Sequence, residues 1–316
     1  MNSKQIFMKK ILFAFAGVLI SIVLNAQDGK NLAERLGYPK DSKLLIIHAD
    51  DMGLSHSVNM ASIRAFENKG VTAGSIMVPC PWAPEIEAWA KQNPGMDVGI
   101  HLTLNAEWDK FKWGGVTSSD QITSLLDSNG YFYASVQELG RKVKAEEAKK
   151  ELKAQIDRAV AAGVHPTHLD THMGSVLASP ALIKIYVDLS DEYHIPILLP
   201  RTYLSWFPAD MAKSLENKIF LIDNTFILGQ SQITGKWIDP YKKAIEEMKP
   251  GFNEIIVHLA IDNDEMQAVS KGHQAYGSAW RQNDLDMVLS TEFRDLLKAN
   301  HIVLIGGREV KEAMNK

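Results

Sequence analysis

Two adjacent carboxylates, Asp50 and Asp51, close the apolar run Leu44, Leu45, Ile46, Ile47 in the segment KLLIIHADDMG. Acids at the carboxyl end of a strand-like run can divide labour, one holding a metal ion while the other moves a proton. Two later segments present imidazoles in the same setting: VGIHLTL carries His101, and PTHLDTHMG carries His168, Asp170 and His172. Extended backbone has a side-chain period of two, so His168, Asp170 and His172 face one way, with Leu169 and Thr171 opposite. Burying that row is costly unless a cation or solvent meets it.

One carboxylate oxygen and two imidazole nitrogens with an open position make a common catalytic metal site. The ligand candidates are Asp51, His101 and His172, around one divalent ion, Mg or Zn. Asp50 is then the candidate general base. Neighbouring side chains on a regular strand diverge, so the chain must bend there, and Gly53 is the residue that permits it. His258, at the end of EIIVHLA, is the candidate general acid. Asp170 can fix the tautomer of an imidazole, and His168 either lines the pocket or supports its neighbours. Arg201, in LLPRTY, can reach Asp50, a substrate oxygen or a surface acid. Trp108, Trp113 and Trp280 offer ring faces to a sugar, with packing as the alternative. His56, His165, His194, His273 and His301 read as surface or structural, and Asp262, Asp264 and Glu265 as a solvated loop.

These groups need a scaffold that brings distant strand ends together. From residue 43 onward, short aliphatic runs alternate with segments of helical period, the pattern of parallel strands joined by crossover helices. The class is α/β. Strands are expected at 44–48, 71–78, 97–103, 167–170, 195–199, 219–222, 254–259 and 302–305. Seven or eight strands are the number that closes a (β/α) barrel, whose strand C-termini open on one face. Helices are expected at 58–69, with Gly70 as a left-handed stop, at 145–162 before Gly163, and at 285–299. Residues 106–135 break the rhythm with tryptophans, paired glycines and an Asn129-Gly130 turn, and read as a long insertion on that face.

Of the 316 residues, 46% are hydrophobic and 23% charged, enough for one large core. Residues 1–26 read as a cleaved signal peptide: Lys4, Lys9 and Lys10, an apolar stretch from 11 to 24, then Ala26. That stretch is shorter than the roughly 20 residues of a spanning helix. The protein is therefore expected to be exported, periplasmic or extracellular, without stable membrane insertion, and 27–316 to form one catalytic domain. The one cysteine, Cys80, has no partner for an intrachain disulfide. With 34 Lys and Arg against 38 Asp and Glu, fewer once the leader is removed, the chain has no electrostatic reason to bind nucleic acid. Monomer and homo-oligomer are both open.

HADDMG, GIHLTL and THLDTH, in this order, resemble the YdjC-like carbohydrate deacetylases, a family that includes diacetylchitooligosaccharide deacetylases; the similarity runs over most of residues 43–310. The resemblance implies a divalent metal in a distorted barrel and removal of acetyl groups from N-acetylated sugars. It makes Asp51, His101 and His172 the metal ligands and Asp50 the base. Two other readings stand beside it: a metal-dependent hydrolase of a phosphoester or peptide amide, and a sugar-binding protein without catalysis.

Overall fold

The structure is a computed structural model that describes residues 29–314. The expected signal peptide lies outside the described residues. One parallel sheet holds seven strands: β1 (Lys43–Met52), β2 (Ala73–Ile76), β3 (Val98–Leu102), β4 (Leu169–Thr171), β5 (Asn224–Ile227), β6 (Gly251–His258) and β7 (Ile302–Leu304). The path β4-β3-β2-β1-β6-β5 is parallel throughout. β1 is central because Leu44, Leu45, Ile46 and Ile47 are buried on both sides of the sheet, as a helix-covered parallel strand requires. On one flank β1 pairs along its length with β6; on the other, β7 covers its first residues and β2 its last.

The expected strands at 195–199 and 219–222 shrink to isolated parallel bridges, Leu169 with Ile197 and Pro200 with Ile222. Those bridges carry the ring from β4 round to β5. The regular strand begins only at Asn224, whose segment is mostly exposed and so lacks the apolar signature that singled out 219–222. The result is a distorted barrel.

Helices pack outside the sheet. Ala145–Ala162 forms as expected, with Gly163 at φ 96° ending it. His56–Glu67 begins earlier than expected, capped by Ser55, and its left-handed terminal residue is Lys69 at φ 56° rather than Gly70. Gly70 serves close approach instead: a Cβ there would lie 3.1 Å from both the Leu289 side chain and the Val288 carbonyl oxygen. The expected helix at 285–299 is two helices, Ser278–Leu289 and Thr291–Ala299, because the Ser290 hydroxyl accepts from Phe293 N and caps the second. Residues 106–135 form an irregular segment with two short 3-10 turns and a bridge from Leu126 to Phe132. Full burial of an aliphatic side chain contributes about 1.5–3 kcal/mol, and the contiguous core running from β1 through Ile156, Leu182 and Leu285 is what fixes the strand ends.

Candidate metal centre and active site

The C-terminal ends of β1, β3, β4 and β6 surround a cavity of about 790 Å³. At β1 the pairing with β2 shifts between Ala49 and Met52, and Asp51 takes φ 66°. A bulge of this kind re-aims side chains beside active sites, and aspartate tolerates the left-handed region better than most residues. Both carboxylates therefore line the cavity. The bend falls at Asp51 itself as well as at Gly53, whose φ is 93°.

Asp51, His101 and His172 come together. Asp51 Oδ1 lies 3.1 Å from His172 Nδ1 and 3.4 Å from His101 Nε2, and the two nitrogens are 3.3 Å apart. The other nitrogen of each ring is engaged by a carboxylate: His101 Nδ1 with Asp170 Oδ2 at 2.6 Å, and His172 Nε2 with Glu107 Oε2 at 2.8 Å. A ring that donates from one nitrogen keeps a lone pair on the other. Three acceptors then converge on a space with no hydrogen to share, an arrangement that a cation would satisfy. Spacings of 3.1–3.4 Å match the edge of a coordination shell with metal–ligand bonds of about 2.0–2.2 Å. The residues present fit a divalent ion.

The electrostatics agree. Burial alone would raise the Asp51 carboxyl, but Arg281 beside it and the bonds to His101 and His172 hold it well below the usual carboxylate range. Burial opposes charge on His172, yet Glu107 and Asp51 push it up to about 9; Asp170 and Asp50 likewise carry His101 well above its ordinary value. With no cation, protons occupy the positions a cation would take. Burial pushes Asp50 up to about 7, against the pull of His101 and His48. Asp170 stays ionised, at about 2, because His101 and His48 overcome its burial.

The row on β4 does face inward, but at successive depths. His172 is uppermost, Asp170 pairs in register with His101, and His168 lies in the barrel floor, absent from the cavity lining. There His168 Nε2 meets His48 Nε2 at 3.0 Å, and His48 Nδ1 sits 3.2 Å from Glu254 and 3.4 Å from Asp50. His168 thus supports neighbours. His258 is the register partner of Asp50, and its ring lines the cavity 4.8 Å from that of Tyr276. Burial, with Arg281 and the two ligand-candidate histidines, lowers it to about 3, so the ring is neutral at neutral pH.

Two candidates are corrected. Arg201 points away from the cavity: Pro200 and Thr202 line it, and the residue between them pairs with Asp223 and Glu216 at 2.9 and 2.8 Å. Trp113 is buried behind His172, its indole N–H donating to Asn105 O, so it offers no face to a sugar. Trp108 does line the cavity, buried between His273 and Arg281. Trp280 is packed between Trp237 and Tyr276. His273, expected to be structural, lines the cavity.

Glu107, Glu254 and Arg281 escaped the sequence reading. Glu107 lies in the insertion with no periodic neighbours. Arg281 had a signal, a charge among Trp280, Leu285 and Val288 on a buried helix. Asp284 on that helix accepts from Tyr241, Trp237 and the His258 backbone N–H, tying it to the end of β6.

Fold and site together define a parallel α/β barrel protein with a carboxylate–imidazole centre at its strand C-termini. More narrowly, the chain belongs to the YdjC-like protein family, whose model matches residues 44–299. A carbohydrate deacetylase of Thermus thermophilus is 34% identical over 76% of this chain and 85% of its own length. One from Thermoanaerobacter pseudethanolicus is 24% identical over 83% and 97%. A solved Enterococcus faecalis V583 protein, assigned provisionally to cellobiose-phosphate cleavage, has the same fold: TM-score 0.68 at 22% identity, over 84% of this chain and 98% of that one.

Proposed function

We propose that the protein is a metal-dependent carbohydrate deacetylase that hydrolyses N-acetyl groups of amino sugars or short oligosaccharides. The observation that carries this reading is the convergence of Asp51 Oδ1, His101 Nε2 and His172 Nδ1, with tautomers set by Asp170 and Glu107, directly beside Asp50. The names of the curated relatives support the substrate class. A divalent ion held there supplies Lewis-acid polarisation of the acetyl carbonyl and makes water more acidic.

Asp50, pushed up to about 7, suits a base that takes the proton of the attacking water near neutral pH. The amide nitrogen cannot leave as an anion and must be protonated. His258, beside Asp50 in register and neutral at rest, is the group placed to relay to nitrogen the proton that Asp50 takes from water. The apolar wall of Leu177, Leu198, Ile256 and Tyr276 excludes water and packs against sugar.

The test is acetate release from N-acetylglucosamine and its short oligomers, with and without a chelator. Hydrolysis of phosphoesters or peptides instead would reject the reading, as would chelator-insensitive turnover. We also propose export with removal of residues 1–26, on the leader pattern alone; an intact N-terminus on the protein recovered from its source cells would refute it.

A further inference from the structure

We infer that Arg281 is a further catalytic residue, donating from Nη1 to the acyl oxygen of the substrate. The inference rests on the amide-hydrolysis reading above. Arg281 is 2% exposed and lines the same cavity as Asp50 and Asp51. Two of its nitrogens are committed: Nε donates to Tyr276 O at 2.6 Å and Nη2 to Asp51 Oδ2 at 2.6 Å. Nη1 is buried with no protein partner. A buried donor left unmet costs about 1–3 kcal/mol, and more when charged, so an unmet Nη1 on a residue that lines the cavity is placed to serve an occupant.

The group is also rigid. Trp108 lies 5.5 Å from the guanidinium carbon and is stacked in turn on His273. The planar fork fixes Nη1 beside Nη2, hence near Asp51, and no other Lys or Arg lines the cavity among the described residues. Because Nη2 takes Asp51 Oδ2, only Oδ1 is left to face His101 and His172. The same guanidinium thereby orients a ligand candidate and presents a free N–H to what is bound next to it.

In the reaction, the water oxygen bonds to the carbonyl carbon, its proton passes to Asp50, and the π pair moves onto the acyl oxygen. Collapse returns that pair, the C–N bond breaks with its electrons on nitrogen, and nitrogen receives the proton that Asp50 took from water. The acyl oxygen is most negative between these events. A preorganised donor aimed at it acts there rather than on the resting amide, and the acetate product keeps an oxygen at the same place.

The test compares the metal-loaded wild type with R281K and R281Q, using N,N′-diacetylchitobiose at saturating metal, with acetate as an added inhibitor. Either substitution can still bond Asp51, but neither supplies the fork. Expected are retained fold and metal content, a fall in kcat of about 10²–10³-fold with KM changed less than about threefold, and at least about tenfold weaker acetate inhibition. Variants with wild-type kcat and acetate inhibition would reduce Arg281 to a brace for Asp51 and overturn the inference; so would variants whose only defect is metal loss restored by excess metal. Should one variant fail to fold, the other decides. A wild type that releases no acetate would remove the amide-hydrolysis reading instead, a separate result.

Discussion

His101 and Asp170 are register partners on adjacent parallel strands, and their side chains are joined at 2.6 Å, which turns the other nitrogen of His101 toward Asp51. Strand pairing thus sets the tautomer of a ligand candidate. A carboxylate behind a metal-binding histidine typically governs affinity by 10–100-fold. D170N, which keeps the shape but loses the negative acceptor, is expected to weaken zinc binding by about that factor, as is E107Q behind His172. Competition titration against a chromophoric chelator measures it; unchanged affinity in both would remove the tautomer argument.

Asp50 makes no hydrogen bond to the three converging donors, its nearest approach being 3.8 Å to His101 Nε2, so D50N should keep its metal and lose about 10²-fold or more in kcat. A base works in its deprotonated form. Wild-type activity should therefore fall as pH drops through the Asp50 titration, pushed up to about 7 in the metal-free site and lower when a cation is present. That acid limb should be missing from the residual activity of D50N. A full pH–rate profile with the limb intact in the variant would assign it elsewhere.

Strands and helices with unbroken apolar signals were legible: β1, β3 and the helix Ala145–Ala162 follow directly from their residues. The three sequence motifs that meet in the cavity were legible too, because each ends an apolar run. What was not legible depends on distant pairing. The exposed β5 has no apolar pattern, and Ser290 reads as interior to a helix until Phe293 N is found on its hydroxyl. Glu107 and Arg281 reach the site across 65 and 230 positions of chain to His172 and Asp51, distances at which no local spacing carries information.

Metal and protons compete for the same nitrogens. His172 is raised to about 9, by Glu107 and Asp51 against its burial, and His101 is raised well above its ordinary value. Each proton displaced costs a factor of ten in apparent affinity per pH unit below its pKa. Zinc or magnesium affinity should accordingly strengthen steeply from pH 6 to about 9 as His172 gives up its proton. Isothermal titration in buffers of different ionisation enthalpy counts the protons released; a count near zero at pH 7 would contradict the raised values.

The same groups make metal-free stability pH-dependent. For His48 and His172, folded values of about 9 exceed the ordinary 6.5, so their contribution is complete below 6.5 and disappears as pH rises through 9. The Tm of the chelator-treated protein should fall between pH 7 and 9.5. A bound cation replaces the His172 proton, so the loaded protein should fall less. Equal slopes with and without metal would mean that the cation binds away from His172.

The barrel floor is held open by glycine. His168 fits against β3 only because Gly99 has no side chain: a Cβ there would lie 2.6 Å from the His168 carbonyl oxygen and would also strike the ring. Gly307 closes the other side, where a Cβ would come within 2.8 Å of His168 Cγ. Backbone and a packed ring cannot yield as a flexible side chain would, so overpacking should cost about 1–3 kcal/mol or more. G99A is therefore expected to shift the denaturant midpoint downward and, through the chain from His168 to His48 and Asp50, to lower kcat as well. The double variant G99A/H168A removes the clash with the ring and leaves the one with the carbonyl oxygen; partly recovered stability without recovered kcat would separate packing at the floor from its support of Asp50, while a G99A protein as stable as the wild type would show that the floor is not packed as described.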